Sequence, residues 1–160
     1  MPAPTASHRK RILENIQTAL RGITGNPTYH YTVKSDSVTL EPLATFGNIP
    51  VTELPAFIVE PAGIGTITFW PATRLHNVFG VLVTGYHVAP EGTSRNRKYA
   101  VWEQLFADIE VALTQDITRG ALAIDTLIHE PQMAADVGAG NGVECRVPVD
   151  VRLIRTYGTP

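Results

Sequence analysis

Cysteine is nearly absent from this sequence: Cys145 is the only one among 160 residues. No intramolecular disulfide can form, and a cysteine-based metal site would have a single sulfur ligand. Stability must come from packing and from assembly with other chains. Long apolar runs are missing too. Charge, glycine or proline breaks every apolar stretch short of the roughly 20 residues that a membrane helix needs, so a soluble protein with no membrane partner is expected. The basic group His8, Arg9, Lys10 and Arg11 is followed by Glu14, Asn15 and Gln17 rather than by the apolar core of a signal peptide. The chain is therefore expected to stay in the cytoplasm where it is made. Positive charge is not in surplus, since 13 Lys plus Arg stand against 15 Asp plus Glu. Binding to phosphate backbones would lack its main driving term, so specific nucleic-acid binding is not expected.

The parts of a catalytic or metal centre are also sparse. His8, His30, His76, His87 and His129 are scattered, and none has the helical spacing that aims two ring nitrogens at one metal. His129 and Glu130 are adjacent and could exchange a proton with a substrate, but no nucleophile or oxyanion donor accompanies them. Ser7, Ser35, Ser37 and Ser94 fall at a cap or in polar segments, outside any G-x-S-x-G turn. Gly138, Gly140 and Gly142 superficially suggest a phosphate loop, but they precede a strand pattern, whereas phosphate cradles open a helix. Cys145 falls on the apolar side of an alternating segment, which predicts a buried, unreactive thiol. No catalytic residue, metal ligand or cofactor is assigned, and the chain is not expected to be an enzyme.

What is present is enough apolar sequence, 44%, for one continuous core, and residues 1–160 read as a single domain. A short segment, 1–7, precedes a helix over 7–23. Ser7 is its N-cap, Ile12, Ile16, Ala19, Leu20 and Ile23 share one face, and Gly22, Gly25 and Pro27 end it. From Tyr29 to Leu40 the pattern is weakly extended: Tyr29, Tyr31 and Val33 alternate with His30, Thr32 and Lys34, Ser35, Asp36 and Ser37 interrupt, and a second extended piece runs from Val38 to Leu40. Prolines at 42, 50, 55, 61 and 71 make the middle third irregular. Between two of them Ala56, Phe57, Ile58 and Val59 read as a buried strand, and residues 63–69 as another.

Residues 74–88 give the clearest strand, with Leu75, Phe79, Val81 and Val83 on one face and His76, Val78, Leu82, Thr84 and Tyr86 on the other. A bend or bulge is expected at Gly80 or Gly85 because the strand is so long. A flexible loop over 89–98 leads to a core helix over 99–115. Trp102, Leu105, Phe106, Ile109, Ala112 and Leu113 form its buried stripe, and Glu103, Asp108 and Glu110 its wet side. A half-buried strand over 122–129, a flexible loop over 130–142 and an alternating strand over 143–153 complete the chain. Pro148 marks that last strand as an edge or a bulge. The fold class is α+β: a mostly antiparallel sheet with the N-terminal helix and the core helix packed on it, and a long extended arm or hairpin.

A strand apolar on both faces needs two covers and the chain offers only two helices, so either both sheet faces are covered within one subunit or one of them is a binding surface. In the second case Trp70, with Arg74, His76, Phe79, Tyr86 and His87 of the long strand, is a candidate interface, joined by Arg146 and Arg152 from the polar face of the last strand.

This order of elements resembles the tail terminator and minor tail protein family of long-tailed, siphovirus-type bacteriophages. The resemblance is architectural and spans nearly the whole chain. It comprises the helix containing Arg11, Ile12, Leu13, Glu14, Asn15 and Ile16, the strand Ala56 to Val59 behind Pro55, the long strand, the helix from Trp102 to Leu113, and the two closing strands. It implies a structural virion protein of the tail or neck, assembled in the host cytoplasm. Such a protein forms a homo-hexameric ring that caps the head-proximal end of the tail tube, ending polymerisation. Its partners would be other copies of itself, the tail tube protein and a head–tail connector or stopper protein. A head–tail connector or head completion protein is the alternative within the virion. The alternative of another class is a small enzyme or ligand-binding domain with a pocket near His87, His129 and Glu130.

Overall fold

The computed structural model describes residues 7–40, 49–70, 74–90, 95–137 and 141–156. Most of the N-terminal segment expected over 1–7, the two ends of the proline-rich stretch, part of the loop expected over 89–98 and part of the glycine-rich run from Gly138 lie outside them.

Helix α1 (His8–Arg21) starts where expected, with the Ser7 hydroxyl accepting the Lys10 N–H at 3.2 Å. Its buried residues, Ile12, Ile16 and Leu20, recur at four-residue spacing and define a single stripe. Gly22 closes the helix by donating its N–H to the Thr18 and Ala19 carbonyls. Residues 29–40 follow the expected outline, with Thr32 in an isolated antiparallel bridge to Thr24. They contain one short 3-10 turn, Ser35–Ser37, and a two-residue strand β1 (Val38–Thr39). The carboxylate of Asp108 shapes this segment by accepting the N–H groups of His30 and Tyr31.

The two short strands expected between prolines are one strand, β2 (Ala56–Trp70), which forms a hairpin with β3 (Arg74–Val88). The bulge falls in β2 rather than β3: the register shifts between Pro61 and Gly63, opposite Gly80, and again between Ile64 and Ile67. Past Ile58, β2 pairs only with β3 among the described residues, so Pro61 occupies an edge and a bulge, where a missing donor is tolerated. Gly85 serves another purpose. A Cβ there would lie 2.9 Å from Phe57 Cε1, so the glycine makes room for the Phe57 ring.

Helix α2 (Arg95–Thr114) begins a turn earlier than expected, so residues 95–98 are helical, not loop. Leu105, Ile109, Ala112 and Leu113 are buried as expected, whereas Asp108 is fully buried instead of facing water. The strand after α2 is also shorter than expected. Arg119, Gly120 and Ala121 all have positive φ (50°, 66° and 63°), a left-handed turn that delays β4 to Asp125–Ile128. Part of the loop expected over 130–142 is a strand, β5 (Gln132–Val137), ordered by pairing with β6 (Gly142–Thr156).

The six strands form one mixed, mostly antiparallel open sheet in the order β1-β2-β3-β6-β4, with β5 also on β6. β6 is thus a central strand, not an edge. It is flanked by β3 along its whole length and by β5 and then β4 on the other side. Pro148 is accommodated because its carbonyl accepts the His129 N–H, which places its donor-less nitrogen toward the break between β4 and β5. Both helices pack on one sheet face. The core there joins Ile12, Ile16 and Leu20 of α1 and Leu105, Ile109 and Leu113 of α2 to Phe57 and Val59, Phe79, Val81 and Val83, and the alternate residues of β6 from Cys145 to Leu153.

Candidate functional site

Alternation sorts the sheet into two sides. Phe57, Val59, Phe79, Val81, Val83, His87 and the valines of β6 point toward the helices, and their neighbours point away. On the far side, one end is closed: Ala56, Ile58, Thr84, Tyr86 and Glu144 are all buried. The rest of that side is open. Leu82 and Pro148 face each other across β3 and β6, Val78 lies beyond them, and Leu127 lies across β6. Three ion pairs flank this half-buried apolar centre, and Glu60 lies opposite Leu82 on its β2 side. His129 Nε2 lies 2.9 Å from Asp150, Arg152 lies 3.9 Å from Asp125, and Arg146 is bonded to Glu144. Mutual pairing leaves little uncompensated charge to recruit a polyanion, while the apolar centre suits contact with protein.

The expected interface residues divide between the two sides. Arg146 and Arg152 lie on the open side and are exposed. Phe79 and Tyr86 do not serve as exposed anchors, since they are only 3% and 2% accessible. Phe79 faces α1, where the Arg9 guanidinium lies 5.6 Å from its ring centroid, and Tyr86 packs at the closed end. His87 faces the helices, its ring edge-on to Tyr31 at 4.8 Å. Its Nδ1 is buried with no hydrogen-bond partner among the described residues, and burial lowers its pKa below the usual imidazole range. For Trp70, Arg74 and His76 only the backbone lies within the described residues. It places them in the last rows of the β2–β3–β6 ladder, Trp70 beside Arg74 and Arg74 beside Thr156.

The pocket expected near His87, His129 and Glu130 does not form, because His87 lies on the helix side of the sheet and His129 joins Asp150 on the other. Two depressions formed by described residues lie elsewhere. One of about 420 Å³ is lined by Asn96, Lys98, Tyr99, Met133, Ala135 and Asp136. The other, about 490 Å³, lies beside His30, Tyr99 and Gln104. In the first, Lys98 is bonded to Asp136, and in the second, the Tyr99 hydroxyl is hydrogen-bonded to Glu103, which also lines it. The Cys145 thiol is buried, as its alternation indicated, and its pKa is pushed up to about 12 by burial and by the Glu103 carboxylate. Tyr31 is likewise pushed up to about 12 by burial and the nearby Asp108. Among the described residues no three His, Cys, Asp or Glu side chains form a group able to hold a metal, and no helix is long and apolar enough to cross a membrane.

The most heavily bonded buried charge among the described residues carries no signal in the local pattern. Arg119 is fully buried, donating through Nε to Thr126 Oγ1 at 3.1 Å, through Nη1 to Asn15 Oδ1 at 3.4 Å and through Nη2 to the Leu113 carbonyl. Desolvation lowers its pKa, and Asp116 opposes that shift. It ties the end of α2 to α1 and β4 as a structural clamp.

No protein-family model matches this chain, and no curated protein matches it.

Proposed function

We propose that the chain is a structural component of a long-tailed bacteriophage, a tail terminator that forms a homo-hexameric ring at the head-proximal end of the tail tube. The ring ends tube polymerisation and offers its other side to a head–tail connector or stopper protein. The observation that carries this reading is the one-sided sheet: both helices cover one face, and the other keeps an apolar centre, Val78, Leu82, Pro148 and Leu127, flanked by ion pairs. Such a surface suits burial against protein and has no evident use in an isolated chain. The architectural resemblance described above supports the same reading. A ring requires two different patches on each subunit that close after a fixed rotation, and an open sheet carries different strands at its two sides.

Negative-stain electron microscopy of the purified chain at high concentration, with native mass measured on the same sample, tests it. Closed rings of about six subunits are expected. A strict monomer that also fails to associate with tail tube or connector protein would refute it.

A further inference from the structure

The two sides of the open sheet are suited to each other. On one side, past Ile58, β2 has no neighbour other than β3 among the described residues. Its last seven residues, Ile64 to Trp70, read Ile-Gly-Thr-Ile-Thr-Phe-Trp, without a charge or a proline. Edge strands are ordinarily protected by lysine, proline or a bulge, because unpaired backbone donors and acceptors recruit another strand. Here Pro61 and the register shifts come before Ile67, and the end of the strand lacks such protection. On the opposite side, β4 pairs only with β6 among the described residues. Three of the exposed large apolar side chains gather there: Ile117, whose carbonyl accepts the Thr126 hydroxyl, Ile124 and Leu127, at 45%, 43% and 36% accessibility.

The directions match and the heights overlap in part. Ile64 pairs with Phe79, Phe79 with Val151, and Val151 with Thr126, so the β2 and β4 edges share that row, with Asp125 level with the β2 bulge after Ile64 and Ile67 to Trp70 beyond the start of β4. Four successive strands, β2, β3, β6 and β4, alternate in direction. A copy rotated about an axis along the strands therefore sets its β2 antiparallel to the β4 of its neighbour and continues the alternation. A twofold pairing of two β2 edges would instead leave both β4 edges open.

We infer that a second copy of this chain occupies the sheet edge: β2 of one subunit pairs antiparallel with β4 of the next, making the sheet continuous across a head-to-tail interface. This rests on the ring-forming reading and specifies how the ring is joined.

Hydrogen exchange read by mass spectrometry, on the full chain at ring-forming concentration and at monomeric dilution, tests the pairing. Amides within 63–70 and 124–128 slow by at least about tenfold in the ring. Leu127→Lys and Ile124→Lys, at exposed positions, keep the monomer's melting temperature but return the rings to monomers. Rings in which both segments exchange as fast as in the monomer overturn the inference and leave the ring reading standing. Protection of 63–70 alone points to a twofold β2 pairing and overturns it as well. A monomer at every concentration overturns the inference; the ring reading falls with it only if the chain also fails to associate with tail tube or connector protein.

Discussion

The buried carboxylate of Asp108 on α2 accepts the backbone N–H of Tyr31 at 2.9 Å with one oxygen, and that of His30 at 2.8 Å with the other. A segment with almost no secondary structure of its own is thereby fastened to the core helix, and Tyr31 adds a hydroxyl bond to Gln104 at 2.7 Å. Removing the carboxylate leaves two N–H groups without acceptors. Asp108→Ala is expected to cost about 2 to 4 kcal/mol, measured as a lower urea midpoint. A loss under about 0.5 kcal/mol, the scale of an ordinary surface change, would show that the clamp contributes little.

The left-handed turn that follows α2 yields two opposed expectations. Arg119→Ala strips the Thr126, Asn15 and Leu113 acceptors of their buried donor and should destabilise by about 2 to 4 kcal/mol. Ala121→Gly should stabilise by roughly 0.5 kcal/mol, because alanine at a φ of 63° is strained by its Cβ, and the relief exceeds the added entropy of glycine. Denaturant unfolding of both variants checks the pair.

Gly85→Ala should cost about 1 to 3 kcal/mol by overpacking, since the new Cβ would press on the Phe57 ring at 2.9 Å and contact Ile109 Cδ1 at 3.4 Å. Pairing it with Phe57→Leu, which clears the ring, should make the double variant more stable than additivity allows. A strictly additive cycle would count against this contact.

His87 provides the pH dependence. Burial lowers its pKa, so between the ordinary value near 6.5 and the lower folded value the unfolded chain takes up a proton that the folded chain resists. Its contribution to stability is intact above about pH 6.5 and falls as the pH drops below it. The groups around it do not offset this: Tyr31 meets the ring edge-on, and the imidazole Nδ1 has no acceptor among the described residues. Thermal melts at about pH 7.5 and about pH 5 should show a smaller acid-induced drop for His87→Phe than for the unaltered chain.

Much of the fold was legible because periodicity reports burial. The Ser7 cap, the α1 stripe, the limits of β3 and the alternation of β6 all follow from local pattern. What stayed hidden depends on distant partners. Asp108 looks like a wet-side residue until the unpaired amides of His30 and Tyr31 approach it. Residues 132–137 look like loop because Met133, Ala134 and Ala135 carry no alternation, and pairing with β6 alone extends them. Pro148 suggests an edge, yet it sits in a central strand because the neighbouring chain breaks beside it. The candidate surface was half legible. Alternation separated the faces of β3 and β6, but a linear pattern cannot tell which apolar residues meet a helix of the same chain. Phe79 and Tyr86 therefore belong to the protomer's interior, and Leu127 and Ile124, which sequence reading assigned no interface role, are exposed.

The most direct test of the capping role is polymerisation of the cognate tail tube protein with and without this chain, with tube length and tube ends read by electron microscopy. Shorter tubes bearing extra ring-shaped density at one end, lost with Leu127→Lys, are the predicted result. Tubes of unchanged length with bare ends, in the presence of excess folded chain, would contradict it.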